Sequence, residues 1–424
     1  MTGTDPYGAT RVADSALARL IATDRDTFAD QSWAQGAVLS TYADRGGMDD
    51  FSDLFGPEAV DELLSRRALR TPFIRLAQDG TTLPESRYTI GGGVGAGVTD
   101  QVSDDAVLGL FGGGATIVLQ ALHRTWAPIA AWSARLAAEL GHPVQVNAYI
   151  TPAQSQGFAD HYDVHDVFVM QVHGRKEWSI REPVIDAPLR DQPWAERKTE
   201  VEQAATGSPT IQHVLNPGDC LYLPRGYIHS AKALGGISIH LTVGVHGWTR
   251  HHLAGALLDH ARRSLSGQRA VRQSLKLGVD VTDPDDLADD IEVARAALLE
   301  AIAGSDAAQI AHLMTAHARS AQRPEPVSPI ATIAALDDEG VPTVRLREHL
   351  VLKHSTPDSS GRVHVRSRAG RFTLEPGHRG AFDILLRGRP VSIENLDDDP
   401  DVAAEAARLF VHHGVAVLGS RESE

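Results

Sequence analysis

The sequence predicts an α+β protein in which an antiparallel sandwich or barrel lies between two helical regions. Residues 143–247 contain six strand-like runs that are separated by turn residues, a pattern typical of antiparallel all-β architectures. Apolar residues recur at helical spacing over residues 10–141 and again over residues 250–321. The 424 residues exceed the roughly 250–300 at which a single hydrophobic core stops growing, so two or three domains are expected.

The first helical region contains helical spacing in SALARLIA, AVDELLSRRAL and WAPIAAWSARLAAELG. The turn signal at residues 78–80, Gln-Asp-Gly between two β-favouring runs, predicts a hairpin. The glycine-rich run 91–97 lacks the helix that a dinucleotide-binding loop needs directly after it, so it is interpreted as a flexible loop. The glycines at 112–114 are expected to turn the chain ahead of a helix with the sequence ATIVLQALHR.

The region after the predicted sheet begins with two helices, in DPDDLADDIEVARAALLEAIA and DAAQIAHLMTAHARSA. The proline-marked stretch QRPEPVSP, residues 322–329, predicts a linker. Strand-like runs follow, and then DPDVAAEAARLFVHHGVAVL predicts a helix that passes into a terminal strand. This small α+β module resembles a winged helix.

Composition excludes several classes of protein. The chain carries 55 acidic and 40 basic residues, for a net charge of −15, so basic partners are favoured and no nucleic acid partner is expected. No apolar run approaches the roughly 18 residues of a membrane span, and the N-terminus lacks the basic and apolar segments of a signal peptide. One cysteine, Cys220, cannot form an internal disulfide. These features predict a cytoplasmic protein without membrane contact.

A candidate metal site lies in the β-rich region. Residues i and i+2 of a strand point to the same face, so His161 and Asp163 of the sequence His-Tyr-Asp can both bind one ion. His229, 66 residues after Asp163, is the candidate third ligand. Two imidazoles and one carboxylate are the ligands of non-haem Fe(II) oxygenases, because they leave positions open for co-substrate and O₂.

The surrounding motifs are NAYITPAQSQGFADHYDVHDVFVMQVHGRKEW and PGDCLYLPRGYIHSA. Together they closely resemble the JmjC-type ribosomal oxygenases of the cupin superfamily. The resemblance implies a double-stranded β-helix (JmjC/cupin) core with N-terminal helices in a catalytic domain of residues 1–249. It further implies a helical dimerisation domain at residues 250–322 and a winged-helix-like C-terminal domain at residues 323–424.

The resemblance also implies roles for individual residues. His161, Asp163 and His229 would be the catalytic Fe(II) ligands, and Lys176, 15 residues after the first of them, would pair with the distal carboxylate of the co-substrate 2-oxoglutarate. Tyr149 matches a family position that helps to hold this carboxylate, and Asn147 lies on the same side of its strand by alternation. Three further polar side chains are expected to face the barrel interior without binding the metal: Ser238, His240 and Thr242.

The activity implied is a 2-oxoglutarate-dependent dioxygenase that consumes O₂ and hydroxylates the β-carbon of a histidine or arginine in a ribosomal protein. The enzyme is expected to be a homodimer acting on a basic protein or peptide. Two stretches at the predicted pocket mouth depart from the family, AQSQGFAD and REPVIDAPLRDQPWAERKTEVEQAATG, and the second predicts a loop at the rim. Three alternatives therefore stay open: a hydroxylase of a natural-product precursor peptide, a noncatalytic cupin peptide-binding module, and a cupin isomerase or dioxygenase that does not use 2-oxoglutarate.

Overall fold

The structure is a computed structural model that describes residues 15–419 except 48, 79, 154, 156–158, 322, 337–342 and 368. The prediction that the N-terminus carries no signal peptide falls mostly on residues 1–14, which lie outside the described residues. The chain divides into two compact units, with the boundary between Gly247 and Trp248. Within the described residues, no helix is both long enough and apolar enough to cross a membrane.

The first unit consists of one large sheet with helices around it. Its helices are α1 (Arg25–Gln31), α2 (Pro57–Arg66), α3 (Asp104–Gly112), α4 (Leu122–Thr125), α5 (Ala127–Leu140) and α6 (Lys198–Ala205). Its strands are β1 (Val38–Ser40), β2 (Ile74–Gln78), β3 (Thr81–Thr82), β4 (Thr89–Ile90), β5 (Gln101–Val102), β6 (Thr116–Leu119), β7 (Val144–Thr151), β8 (Asp166–Arg181), β9 (Ile211–Leu215), β10 (Cys220–Leu223) and β11 (Ile228–Val245).

The large sheet runs in the order β1-β10-β8-β11-β7-β6-β2-β3, and β9 pairs with β8. Its strand pairs are antiparallel, as the sequence predicts. The two long strands β8 and β11 pair along most of their length, with an irregularity after Leu234. Their inner side chains, together with those of β6 and β7, form the apolar core against α5.

Several elements of the first unit differ from the sequence prediction. The strands β2 and β3 pair as the predicted hairpin, but ATIVLQALHR begins as the buried strand β6 and only then forms the short helix α4. A continuous apolar run is compatible with a strand buried on both faces as well as with a helix, and its β-branched residues favour the strand. SALARLIA forms turns instead of a helix, and KEWSIREP begins as a continuation of β8.

Gly174 of β8 lies where the backbone of β11 approaches closely. Its φ of +63° belongs to the left-handed region, and a Cβ there would collide with the carbonyl oxygen of Ile237. We expect Gly174→Ala to destabilise the protein by about 2–4 kcal/mol, because backbone strain and overpacking add. Chemical denaturation measures the free energy of unfolding of the variant. Gly236→Ala is the control, because a Cβ added at Gly236 would meet no atom within 4 Å. Equal stability of the two variants would contradict the prediction.

The second unit contains helices followed by two small sheets. Its elements are α7 (Arg250–Leu265), α8 (Pro284–Ala303), α9 (Ala307–Ala321), α10 (Pro329–Leu336), β12 (Thr343–Leu346), β13 (Lys353–His354), β14 (Val363–Ser367), β15 (Gly370–Leu374), α11 (Arg379–Leu385), β16 (Val391–Ser392), α12 (Pro400–His412) and β17 (Ala416–Gly419). The strand orders are β16-β12-β17 and β13-β14-β15. The predicted helix and terminal strand are α12 and β17.

The predicted linker is irregular in structure but is held in place. Glu325 accepts two hydrogen bonds from the Arg345 guanidinium, at 2.7 and 2.8 Å. Its backbone N–H donates to the carbonyl of Glu348 at 3.1 Å. This part of the proline-marked stretch is therefore fixed to β12 and the turn after it.

Candidate metal centre

The two candidate histidine ligands are neighbours through backbone pairing. His161 and His229 form an antiparallel bridge, in which each N–H donates to the other's carbonyl, at 3.2 and 2.8 Å. Their rings lie on one face with centroids 4.4 Å apart. His229 follows Asp163 by 66 positions, and the two hydrogen bonds place this predicted third ligand beside His161.

Each imidazole is oriented by a carbonyl two residues before it. His161 Nδ1 lies 2.8 Å from the carbonyl oxygen of Ala159, and His229 Nδ1 lies 3.0 Å from that of Tyr227. A carbonyl oxygen only accepts, so both Nδ1 atoms carry the proton. Each Nε2 therefore keeps its lone pair for a metal ion, the tautomer that histidine ligands need.

Asp163 completes the group. One ligand atom from each of His161, Asp163 and His229 lies within 4.8 Å of the others, and Asp163 Oδ2 is 3.7 Å from His229 Nε2. The N–H of Gly226 donates to the Asp163 carbonyl at 3.0 Å, which fixes the backbone beside the bridge.

The protonation states of this group suit a metal ion. Burial raises the pKa of Asp163, but His165, His229 and His161 outweigh burial and bring this pKa below its ordinary value. Burial and the neighbouring His161 lower the pKa of His229 to about 4. An ionised carboxylate and a neutral imidazole are the forms that bind a divalent cation.

A cavity of about 270 Å³ opens beside the three ligands, near the lower end of the roughly 300–1,000 Å³ typical of small-molecule sites. Its walls come from the strands of the large sheet and from the segment before α6. The lining residues are Arg75, Thr116, Tyr149, His161, Asp163, Val167, Val169, Lys176, Trp178, Trp194, His229, Ser230, Ala231, His240 and Thr242.

Lys176 lies in this cavity with its side chain buried, 4% exposed. Its Nζ donates to Thr151 Oγ1 at 3.0 Å, and no carboxylate of the described residues lies within ion-pair distance of it. Burial lowers the pKa of Lys176 to about 7. A buried ammonium without a counter-ion is costly, so a bound anion would stabilise its charged form.

The register of β8 and β11 fixes the separation between Lys176 and the ligands. His229 pairs with Ile180, and Lys176 pairs with Ala233. Lys176 is four residues before Ile180, about 13 Å along an extended strand. Lys176 and His229 both line the cavity, so it reaches from the candidate metal ligands to the buried ammonium.

Tyr149 and His240 form one wall of the cavity. They pair across β7 and β11, and their rings stack at 5.0 Å with an interplanar angle of 4°. Trp178 packs edge-on against His240 at 5.3 Å. Burial raises the pKa of Tyr149, partly offset by the guanidinium of Arg75, so its hydroxyl stays a neutral hydrogen-bonding group.

Asn147 and Ser238 have other partners. The Asn147 side-chain oxygen accepts a hydrogen bond from the Ala121 N–H at 3.0 Å, and Asn147 is not among the lining residues. Ser238 is fully buried and accepts from Gln171 Nε2 at 2.9 Å. Asn147 thus fixes the turn between β6 and α4.

Two lining residues of the cavity come from regions where no motif was recognised. Arg75 belongs to β2 and pairs with Val118 of β6. In the sequence, Arg75 is marked only as a single arginine between two apolar residues, Ile74 and Leu76, of a β-favouring run. Thr116 of β6 lies 3.4 Å from Thr151, Oγ1 to Oγ1. The prediction missed both residues because β6 was expected to be a helix and no motif marked β2.

The charged stretch before β9 is more ordered than the predicted rim loop. Residues 194–197 form a helical turn that continues into α6. Trp194 lies 6.2 Å from the His161 ring, centroid to centroid. Val201 of α6 packs in an apolar cluster with Tyr162 and Ile228, so this stretch is fixed beside two of the ligands.

The family profile described as the JmjC domain matches residues 122–253, a range that includes the three candidate ligands and Lys176. This match covers 132 of the 424 residues. The matched range contains β7–β11 and the backbone bridge that joins the two histidines. The remaining lining residues, Arg75 and Thr116, precede the matched range.

Proteins similar to this chain include ribosomal oxygenases. Human ribosomal oxygenase 1 is 31% identical over 225 residues, 52% of this chain and 32% of the relative. Ribosomal oxygenase 2 of Rattus norvegicus is 33% identical over 154 residues, 34% of this chain and 32% of the relative. The chain spans about a third of the length of these curated relatives. The resemblance to ribosomal oxygenases that the motifs predict is confirmed.

Solved structures extend the likeness beyond the JmjC domain. The ribosomal oxygenase YcfD of Escherichia coli aligns with a TM-score of 0.53 and 18% identity, over 94% of this chain and 98% of YcfD. YcfD in complex with cobalt and 2-oxoglutarate aligns with a TM-score of 0.52 and 18% identity, over 95% and 99% of the two chains. At this identity the likeness concerns the fold, and it confirms the predicted α+β JmjC/cupin architecture.

Proposed function

We propose that this protein is an Fe(II)- and 2-oxoglutarate-dependent oxygenase that hydroxylates an amino-acid side chain of a ribosomal protein. The observation that carries the proposal is a His-Asp-His group in one cavity with a buried lysine that has no carboxylate partner. In the overall reaction, 2-oxoglutarate, O₂ and a C–H bond give succinate, CO₂ and an alcohol. The iron and 2-oxoglutarate supply the oxidising chemistry when bound.

His161, Asp163 and His229 would hold the iron as catalytic ligands. Both imidazoles present Nε2 to the ion, because their Nδ1–H groups donate hydrogen bonds to backbone carbonyls. The Asp163 carboxylate offsets part of the ion's charge. The YcfD complex with cobalt and 2-oxoglutarate supports the same use of this fold. Three protein ligands leave positions open for co-substrate and O₂.

Lys176 would bind the distal carboxylate of 2-oxoglutarate, with Thr151 orienting its Nζ. Tyr149, in the same cavity, would donate its hydroxyl to this carboxylate. We place Asn147 outside the co-substrate contacts, since its amide oxygen already holds the Ala121 backbone. The apolar walls and Trp194 would exclude water from the reacting groups.

A basic ribosomal protein is the proposed substrate. The names of the relatives point to this class: ribosomal oxygenases, and the bifunctional lysine-specific demethylase and histidyl-hydroxylase NO66 of Drosophila erecta, 44% identical over 104 residues, 24% of this chain and 15% of the relative. The net charge of −15 favours encounter with a basic protein. We propose the β-carbon of histidine or arginine as the target, and the cytoplasm as the compartment.

The test is turnover of 2-oxoglutarate to succinate by the Fe(II)-loaded full chain with purified ribosomal proteins, followed by mass spectrometry. We expect succinate that depends on O₂ and a single-oxygen mass gain on a histidine or arginine of one protein. Oxidation of a natural-product precursor peptide, and not of a ribosomal protein, would overturn the proposed substrate class. Activity that does not need 2-oxoglutarate would overturn the reaction class, and absence of any turnover would favour a binding module.

We also propose three domains: a catalytic domain at residues 1–249, a helical domain at 250–322 and a winged-helix-like domain at 323–424. The chain would form a homodimer through the helical domain. Large apolar side chains exposed on α7 and α8 support this: Leu253, Leu258, Ile291, Val293 and Leu299. Exposed apolar patches commonly mark protein interfaces.

Leu299→Asp tests the dimer, because a charge in an apolar interface is costly. Leu299 is 62% exposed in one chain. We expect light scattering to show twice the 45.5 kDa chain mass for the parent and an at least tenfold weaker dimer for the variant. Leu108→Asp, at a 71% exposed position of α3, is the control. A monomeric parent protein, or equal effects of the two substitutions, would contradict the proposed interface.

A further inference from the structure

The sheet β13-β14-β15 carries a row of basic side chains in a chain that is acidic as a whole. Lys353 pairs with Arg366, and Arg366 pairs with Arg371. Adjacent strands lie about 4.8 Å apart, so the three residues stand side by side on one face. The next row on that face contains His364 opposite Thr373. We call these five residues the basic face.

The basic face points away from the core. The alternate residues of β14 and β15, Val363, Val365 and Leu374, are buried in the core of the second unit. Arg366 and Arg371 are exposed, and neither guanidinium group forms a hydrogen bond or ion pair with another residue that the structure describes. Period-two alternation thus leaves two guanidinium groups available to a ligand.

Side chains at the edge of the basic face are ordered. Lys353 Nζ lies 2.9 Å from His312 Nδ1 of α9 and donates to the His312 carbonyl at 3.0 Å. His364 Nδ1 lies 3.2 Å from Thr373 Oγ1. The basic face and His312 contribute to the lining of a cavity of about 570 Å³.

Charge is locally reversed around this sheet. From residue 353 to residue 374, the span of this sheet, the sequence has five basic residues and one acidic one, a net charge of +4, although the whole chain has −15. Like charges directly opposite each other destabilise an antiparallel pair. The pairing of Arg366 with Arg371 therefore costs stability unless an anion lies between them.

We propose that the basic face binds the sugar-phosphate backbone of RNA, an activity beyond the proposed hydroxylation. Guanidinium groups form forked hydrogen bonds with phosphate, and the hydrogen-bonding groups of His364 and Thr373 suit the ribose 2′-hydroxyl beside it. The five residues of the basic face offer neither a large apolar anchor for a protein partner nor a Phe, Tyr or Trp ring for bases. Binding is therefore to the backbone and independent of sequence. The net charge of the whole chain predicts no nucleic acid partner, because it averages over this local basic surface.

Fluorescence anisotropy of the full chain with a labelled RNA duplex of about 16 base pairs tests the proposal. We expect Arg366→Gln with Arg371→Gln to weaken binding at least about tenfold, and to reduce by about 2 the slope of log affinity against log salt, which counts phosphate contacts. Arg387→Gln with Arg389→Gln changes the charge equally at exposed positions of the same unit and should change affinity less than twofold.

Arg366→Gln with Arg371→Gln also removes a pair of like charges. The melting temperature of this variant should therefore equal or exceed that of the parent, which shows that weaker binding is not caused by unfolding. Equal losses from both pairs, or no RNA binding at about 50 mM salt, would overturn the proposal. Tighter binding of a DNA duplex of the same sequence, or of a polyglutamate peptide, would overturn the assignment to RNA. None of these outcomes depends on hydroxylase activity.

Discussion

Asp163→Ala is expected to abolish 2-oxoglutarate turnover. The substitution removes the carboxylate that lies 3.7 Å from His229 Nε2 and leaves only two imidazoles to hold a divalent cation. Loss of a hydrogen-bond partner around a metal ligand already costs about 10–100-fold, so loss of the ligand should cost more than 100-fold in metal affinity. Succinate formation and metal content after dialysis measure both effects.

His161→Ala should give the same result, because the facing imidazole cannot hold the ion with Asp163 alone. The matched control is His173→Ala, which removes an exposed histidine from β8 of the same sheet and should retain activity within about twofold. The interpretation fails if Asp163→Ala keeps both its metal and its turnover. It also fails if His173→Ala loses as much activity as His161→Ala.

Lys176→Ala is expected to raise the KM for 2-oxoglutarate about 10- to 100-fold with a smaller change in kcat. A buried charged hydrogen bond contributes roughly 1.5–3 kcal/mol, and each 1.4 kcal/mol is tenfold in affinity. Thr151 would keep its hydroxyl but lose the ammonium that it orients. Steady-state kinetics over a range of 2-oxoglutarate concentrations separate the two parameters.

The same lysine should make co-substrate binding depend on pH. With its pKa lowered to about 7 by burial, Lys176 is protonated below pH 7 and increasingly neutral above it. A bound carboxylate favours the protonated form, so affinity should be highest below pH 7 and fall as the pH rises, by at most tenfold per unit.

Lys176→Arg is the matched variant, because a guanidinium keeps its charge at these pH values. Its affinity for 2-oxoglutarate should be flat between pH 6.5 and about 8.5, whereas that of the parent should decline. Calorimetry in buffers of different ionisation enthalpy should show proton uptake on binding by the parent at pH 8. A parent affinity that rises with pH would contradict the role of Lys176.

Local patterns predicted only the pairing of His161 with Asp163. These two residues lie between β7 and β8 and not within a strand, with His161 in a bridge to His229, yet their ligand atoms come together. Tyr149 lines the cavity from β7, but its role was predicted from the family resemblance. His229 is distant in sequence and could be placed only through the family resemblance, because the bridge to His161 forms by tertiary pairing.

Other features could not be predicted because they depend on which strands become neighbours. Arg75 enters the cavity because β2 joins the sheet beside β6, a strand whose apolar run resembles a buried helix. The same limit applies to the basic face, since Lys353, Arg366 and Arg371 are adjacent only across three paired strands. Asn147 has the predicted alternation, but its side chain binds the backbone of a turn that was expected to be helical.

Metal stoichiometry decides whether His161, Asp163 and His229 form one metal site. Equilibrium dialysis of the full chain against Mn(II), a redox-stable substitute for Fe(II), should give one tightly bound ion per chain. Binding should be lost in the protein with both His161→Ala and His229→Ala, and retained with His173→Ala. One ion per chain that stays bound without both histidines would contradict the account.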